Sequence, residues 1–493
     1  MSSTVVDDFL KAPLEERARL ALDENTAPAI RSFLGAQAYE EYAEIARRVR
    51  RAATREHLAS SDTNLIFIPG VMGSQLASDK LGGVWWIDAR TREHLDHLRL
   101  NPEGTASVDP KHQVFPFTTD PTYDPFLSAV WERDDFGHVL FPYDWRMSLT
   151  RSAARLRDKV LQIFESNGGK KVHFVAHSMG GLLVRATLAD HPELWPKLGR
   201  IVFLATPHYG SPAIVGYLKN HLWGWELLAV LGLYLSRPTF RSLWGVLELL
   251  PAPRGIYPGT RPDDPAPWQS DPDDPYVHPC ANFNLYNVDD WKLELNGEEK
   301  ANLQRVLEGA AAFHSKLYVA HLTLDQELRD RMAMIAGVGV KTLFRLEYEK
   351  GFFGLWERAK KITRRIPGDP HRDGDGRVPL ASARLEDLGQ IRYVRGEHGT
   401  VPAIPAVYDD VFRWLNEEPM RLPATPQGAL GDHLAGDGLA PEAPHLVGVI
   451  PESADGEDPG YWRDEPLSED QLKALEARLA AGEMPGFNRL HIL

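Results

Sequence analysis

The chain has 493 residues, 43% hydrophobic and 25% charged, which is the composition of a soluble globular protein long enough for one large domain with insertions or two to three smaller ones. A net charge of −14 without a basic stripe argues against nucleic acid. The single cysteine, Cys280, excludes an intrachain disulfide, and no run reaches the roughly 18 apolar residues of a membrane span.

Residues 1–61 are rich in Ala, Glu, Leu and Arg and read as a helical N-terminal extension. The first residues have neither a basic nor an apolar leader pattern, so the expected location is cytoplasmic, with peripheral membrane contact left open. The cluster Arg47, Arg48, Arg50 and Arg51 reads as a solvated face paired with nearby glutamates, with contact to anionic lipid as the alternative.

From Leu65 onward short strand-like runs alternate with helical stretches. The strands are Asn64–Pro69, Val139–Pro142, Val172–Ala176, Ile201–Ala205, Met332–Ala336 and Ile391–Val394, and the helices include Arg151–Ser166, Gly181–Asp190 and Pro402–Asn416. Such alternation predicts an α/β fold, a mostly parallel central sheet with helices on both faces, over residues 62–418. Two long insertions, about 77–135 and 211–315, are expected to form a cap or lid. Residues 217–250 hold Trp223, Trp225, Trp244 and many leucines. They read as a lid over an acyl pocket, an interfacial segment or a second small core.

Residues 419–493 form an acidic Pro/Gly-rich appendage, with 5 Lys and Arg against 13 Asp and Glu. One terminal helix is expected there, with a capping box at Ser468 and Gln471 and a C-cap at Gly482.

The most informative stretch is Lys171-Val172-His173-Phe174-Val175-Ala176-His177-Ser178-Met179-Gly180-Gly181. A strand stops at a serine between small residues and a helix follows, the pattern of a nucleophile elbow with Ala176 in the first glycine position. A serine hydroxyl needs a base, an acid to orient that base, and donors for the oxyanion. In Asp373-Gly374-Asp375-Gly376 the chosen acid is Asp375, with Asp373 as the second choice. The chosen base is His398, just after a strand and before a helix, ahead of His371 and His177. The turn Gly70-Val71-Met72-Gly73 follows the first strand, so the amides of Val71 and Met179 are the expected oxyanion donors.

These pieces, with Trp86-Ile87-Asp88, Pro142-Tyr143-Asp144-Trp145-Arg146, Ala205-Thr206-Pro207-His208-Tyr209-Gly210-Ser211 and Gly337-Val338-Gly339, occur in order over residues 62–415. Together they resemble the lecithin:cholesterol acyltransferase and lysosomal phospholipase A2 group of α/β-hydrolases. The resemblance implies Ser178, Asp375 and His398 as a triad, Val71 and Met179 at the oxyanion, a lipid ester or phospholipid substrate, and a lid near 211–250. It also sets Trp85 and Trp86 where the family has lid or membrane-contact tryptophans; with Trp223 and Trp225 they are the substrate and lid candidates. Asp144 and Arg146 look like a structural ion pair beneath the site. The family's secreted members carry disulfides that this chain lacks, which weakens the carry-over of lipoprotein binding and of cholesterol as acceptor.

The expected activity is therefore hydrolysis of acyl esters, as a lipase or phospholipase, without metal or cofactor. The rival readings are acyl transfer to an alcohol, a catalytically silent scaffold on a hydrolase fold, and a membrane-attacking effector held in check by partners. The sequence names no protein partner.

Overall fold

The computed structural model describes residues 2–52, 63–78, 84–86, 89–219, 236–260, 281, 283–340, 342–350, 357–363 and 373–431, with Lys473 and Ala477. In chain order its strands are β1 (Thr63–Ile68), β2 (Ser74–Ser78), β3 (Val84–Trp86), β4 (Val114–Thr119), β5 (Gly137–Leu140) and β6 (Val172–His177). They continue with β7 (Leu198–Leu204), β8 (Met332–Val338), β9 (Leu343–Lys350), β10 (Glu357–Thr363) and β11 (Gln390–Arg395).

The six runs read as strands from the sequence pair into one sheet of order β11-β8-β7-β6-β1-β5, and every neighbouring pair is parallel. β8 is buried along its whole length, and β1, β6 and β7 nearly so. A sheet covered on both faces buries both sides of each strand, so these strands are near-continuous apolar runs rather than alternating ones. Pro69 and Pro142 lie just past their strands, because proline has no N–H to give a ladder.

The chain adds β5 on one side of β1 and then returns to the other side for β6. That reversal leaves a crevice at the carboxyl ends of β1 and β6, where parallel α/β sheets take their ligands.

Four N-terminal helices, α1 (Ser2–Lys11), α2 (Leu14–Leu22), α3 (Ala27–Leu34) and α4 (Ala36–Ala52), pack together. α4 buries Tyr42, Ile45, Ala46 and Val49, a helical stripe. Arg47 pairs with Glu44, as the charge pattern predicts, while Arg48 reaches across to Glu132 at 2.8 Å. The next helix, α5 (Asp124–Trp131), receives this block.

Flanking the elbow are α6 (Leu149–Ser166) and α7 (Met179–Asp190). α6 buries Leu149, Ala153, Leu156, Val160 and Ile163 on one face. α7 is buried from Met179 to Leu188, enclosed by the sheet, α6 and the long helix Gly297–Thr323. It begins two residues before the predicted Gly181. The predicted helix Pro402–Asn416 is instead a 3-10 turn, His398–Ala403, followed by a helix, Pro405–Leu415. Pro405 disfavours helix for the residue before it and starts the new helix itself.

Within the first insertion β2, β3 and β4 form an antiparallel sheet of order β3-β2-β4. The antiparallel hairpin of β9 and β10 lies between β8 and the acid loop and has no counterpart among the predicted elements. The sequence Glu-Arg-Ala-Lys-Lys-Ile-Thr of β10 carries too little apolar alternation to mark a strand. Of the expected lid, Leu243, Val246, Leu247, Leu249 and Leu250 are buried. The terminal helix with its Ser468, Gln471 and Gly482 signals lies outside the described residues.

Among the described residues no helix is long and apolar enough to cross a membrane.

Candidate active site

Ser178 ends β6 and caps α7 with φ 52 and ψ −128, a left-handed conformation that a non-glycine residue adopts only when its surroundings force it. Its amide donates to Leu204 O at 2.8 Å, which fastens the turn to the neighbouring strand β7. The glycines that follow are demanded by crowding. A Cβ on Gly180 would stand 2.5 Å from Pro69 O, and one on Gly181 2.1 Å from Thr206 Oγ1. Ala176 is fully buried.

His398 sits just after β11. Its Nε2 lies 2.8 Å from Ser178 Oγ, and its Nδ1 lies 2.8 Å from Asp375 Oδ2. The carboxylate accepts from Nδ1–H, which leaves Nε2 unprotonated and facing the serine hydroxyl. Ser178, Asp375 and His398 are all essentially inaccessible to solvent. Asp375 Oδ1 accepts the amides of Arg377 at 3.0 Å and Val378 at 2.8 Å, and the His398 amide donates to Asp375 O at 2.8 Å. Backbone donors therefore fix the acid, and the acid fixes the ring.

Of the two aspartates in the Asp-Gly-Asp-Gly loop, Asp375 is thus the one joined to His398. Asp373 is buried beside it and its carbonyl accepts from Leu380 N at 3.2 Å. The glycines Gly374 (φ 149) and Gly376 (φ 92) take conformations that other residues avoid. Gly337, at the end of β8, is required by Asp375: a Cβ there would lie 2.6 Å from Asp375 Cβ. The Ala205–Ser211 stretch braces the same loop, since Ser211 Oγ donates to Arg377 O at 2.7 Å.

After β1 the turn Gly70–Gly73 closes with Gly73 N donating to Gly70 O at 3.1 Å, and Met72 takes φ 59. Gly70 lies against the serine, where a Cβ would be 2.9 Å from Ser178 Cβ. The amides of Val71 and Met179 are not taken up by a backbone acceptor outside the regular elements among the described residues.

Asp144 and Arg146 pair through Nη2–Oδ2 at 2.7 Å and Nε–Oδ1 at 2.9 Å, and Arg146 Nη1 also binds Leu98 O at 2.9 Å and Ser107 Oγ at 3.1 Å. Trp145 Nε1 donates to Ser74 O at 3.1 Å, and Arg146 O accepts from Gly245 N at 3.0 Å. The Pro142–Arg146 stretch therefore ties both insertions to the sheet edge.

Trp85 is fully buried, its ring stacked on His94 at a centroid distance of 4.9 Å. The Trp86 side chain, Trp223, Trp225 and His371 lie outside the described residues. His177 is joined to the cluster by a route the sequence reading did not provide: its Nε2 lies 3.0 Å from His398 O and its Nδ1 2.9 Å from Tyr123 Oη. Tyr123 and Gly337 escaped that reading. Gly337 is visible in the Gly-Val-Gly stretch without a role, and nothing around Tyr123 marks its hydroxyl.

Among the described residues no group of three or more His, Cys, Asp or Glu side chains is placed to hold a metal ion.

The family described as lecithin:cholesterol acyltransferase matches residues 133–251, which include the Pro142–Arg146 stretch, the elbow and the Ala205–Ser211 stretch. Phospholipase A(1) LCAT3 of Arabidopsis thaliana is 25% identical over 307 residues, 57% of this chain and 66% of the relative. The chain is similar to this family over that stretch. A second relative, lecithin-cholesterol acyltransferase-like 4 of the same plant, is 29% identical over 127 residues, 24% of this chain and 21% of the relative. The chain thus spans less than two thirds of the length of these curated relatives. Among solved structures, that of the Tle4–Tli4 complex overlays with a TM-score of 0.45 at 15% identity, over 72% of this chain and 97% of that one.

Proposed function

We propose that this LCAT-like chain is a serine hydrolase of acyl esters that acts on lipid esters, with Ser178 as nucleophile, His398 as general base and acid, and Asp375 as the residue that orients and stabilises the imidazolium. The hydrogen-bonded line from Ser178 Oγ through His398 to Asp375, standing on a strained strand-to-helix turn, supports this reading. Ser178 Oγ attacks the ester carbonyl carbon as its proton passes to His398 Nε2. The carbonyl oxygen becomes an oxyanion facing the amides of Val71 and Met179. Collapse expels the alcohol, which leaves with the proton from His398, and an acyl-enzyme remains. Water then attacks while giving its proton to His398, fatty acid leaves, and the proton returns to Ser178.

A lipid target is supported by the names of the relatives, a phospholipase A1 and an acyltransferase-like protein, and by the apolar cover Leu243–Leu250. Contact with a lipid interface belongs to this reading. With Cys280 the one cysteine in 493 residues, no intrachain disulfide supports the fold, which suits a reducing compartment.

A fluorophosphonate probe with an ester panel, from short p-nitrophenyl esters to phospholipid vesicles, tests the proposal. Labelling of the folded protein at Ser178, and loss of both labelling and turnover in Ser178→Ala, is the expected result. Turnover that survives Ser178→Ala would sink it. An excess of acyl-alcohol over free fatty acid with a long-chain alcohol present would convert the reading to acyl transfer.

A further inference from the structure

Residues Asp120–Asp124 touch the candidate site from outside the sheet. The Asp120 side chain caps the 3-10 turn Pro121–Tyr123 by accepting from Thr122 N at 3.0 Å. From this short element two hydrogen bonds reach the turn after β1. Gly70 N donates to Tyr123 Oη at 2.9 Å, and Asp120 N donates to Gly73 O at 2.9 Å. The pair brackets Val71 and Met72, the left-handed residue of that turn.

Tyr123 also reaches the His398 loop through His177. His177 Nε2 points at the carbonyl of His398, which can only accept, so Nε2 carries the hydrogen. In the neutral ring Nδ1 is then an acceptor, and the Tyr123 hydroxyl donates to it. Every proton in the line Gly70 N–H, Tyr123 O–H, His177 Nε2–H, His398 O is thereby assigned. Burial holds the phenol of Tyr123 protonated well above its usual range, so the donor is preserved.

The next residue, Asp124, is held by the N-terminal helices. Arg17 Nη1 donates to its two oxygens at 3.2 and 3.1 Å, and Tyr42 Oη donates to Oδ2 at 2.7 Å. Arg17 also binds Thr118 Oγ1 at 3.1 Å and Thr119 O at 3.0 Å, and Arg17 and Asp124 are fully buried.

We propose that Tyr123 is a positioning residue that holds both the oxyanion turn and the loop of the catalytic base, and that α2 and α4 set its place through Asp124. The N-terminal helices thus act on the reaction without touching substrate. This inference rests on the proposed roles of Val71, Ser178 and His398. A turn with a left-handed residue between two glycines is free to move unless both ends are fixed, and a small misplacement of the Val71 amide weakens oxyanion stabilisation more than ground-state binding.

The test compares wild type, Tyr123→Phe, Arg17→Lys and Ser178→Ala on p-nitrophenyl octanoate, with fluorophosphonate labelling rates and melting temperatures. Tyr123→Phe keeps the ring and removes the oxygen. Its kcat and labelling rate are expected to fall about 10- to 100-fold with KM nearly unchanged, less than for loss of an oxyanion donor itself. Arg17→Lys cannot keep both the Nη1 contact with Asp124 and the Nη2 contacts with Thr118 and Thr119, and its kcat is expected to fall about 2- to 10-fold, again with KM unchanged. Wild-type kcat and labelling rate in Tyr123→Phe overturn the proposal, as does a lower melting temperature with no change in either. Where Tyr123→Phe does not fold, Arg17→Lys decides by the same split. Survival of activity in Ser178→Ala defeats the underlying hydrolase reading instead; an inactive Ser178→Ala beside a fully active Tyr123→Phe defeats only the positioning role.

Discussion

Gly337 and Asp375 are packed so closely that a methyl group on the first would stand 2.6 Å from the Cβ of the second. The end of β8 therefore leaves room for the acid loop only because residue 337 has no side chain. The same added carbon would lie 3.0 Å from Gly396 O, on the loop that delivers His398. One glycine thus accommodates both Asp375 and the loop that carries His398.

Gly337→Ala is accordingly expected to displace Asp375 from His398. A shift on the order of 1 Å costs about 100-fold in rate, and the overpacking costs about 1–3 kcal/mol of stability. Ester turnover beside a urea melt measures both. A variant with wild-type turnover would show that the loop relaxes without moving the carboxylate.

The two aspartates of the acid loop separate cleanly. Asp375→Asn keeps the shape but supplies a neutral amide beside His398, and kcat is expected to fall about 1,000- to 10,000-fold. Asp373→Asn is expected to lose far less, because its carboxylate is not the one on the His398 ring. Steady-state kinetics of the two variants check this, and the reverse ranking would reassign the acid.

Glu248 provides a pH signature. Its carboxyl is buried, accepts from Leu149 N at 2.8 Å and from Ser148 Oγ, and faces Lys316; burial raises it from 4.5 to about 7. The folded protein therefore keeps a proton that the unfolded chain releases above pH 4.5. This contribution to stability is fully present below pH 4.5 and is lost as pH rises through about 7, a change of about 3 kcal/mol. Glu248→Gln is expected to flatten that part of the stability–pH profile. Denaturant melts between pH 4.5 and 8 give the comparison, and an unchanged slope would exclude Glu248 as its source.

The buried pair of Arg17 and Asp124 joins the N-terminal helices to the rest of the chain. Arg17→Met leaves a buried carboxylate without its partner and is expected to cost about 3–5 kcal/mol. Adding Asp124→Asn removes the uncompensated charge and is expected to recover part of the loss. Chemical denaturation of the two variants measures the difference; equal destabilisation would mean that the arginine acts through packing and its other hydrogen bonds, to Ala12, Thr118 and Thr119.

Several of these features were open to a reading of the sequence. The central strands β1, β6, β7 and β8 are near-continuous apolar runs because each is buried on both faces, so their positions were legible from hydrophobicity, whereas the edge strands β5 and β11 are only half-buried. Ser178, Asp375 and His398 were named from local signals: a strand ending in a tight turn, glycines around an acid, and a histidine between a strand and a helix. Too little apolar alternation in β10 hid its hairpin with β9, and Pro405 split a helix that its apolar pattern had suggested was continuous.

What the sequence determined by itself was the order of local elements and the residue types able to do acyl-transfer chemistry, since both depend on neighbours along the chain. That the Asp375 carboxylate meets the His398 ring depended on distances between residues far apart in sequence. So did the requirement for glycine at 337 and the line from Arg17 and Asp124 past Tyr123 and His177 to His398. Hydrogen bonds act over about 3 Å in space regardless of separation along the chain, so only the folded arrangement could assign them.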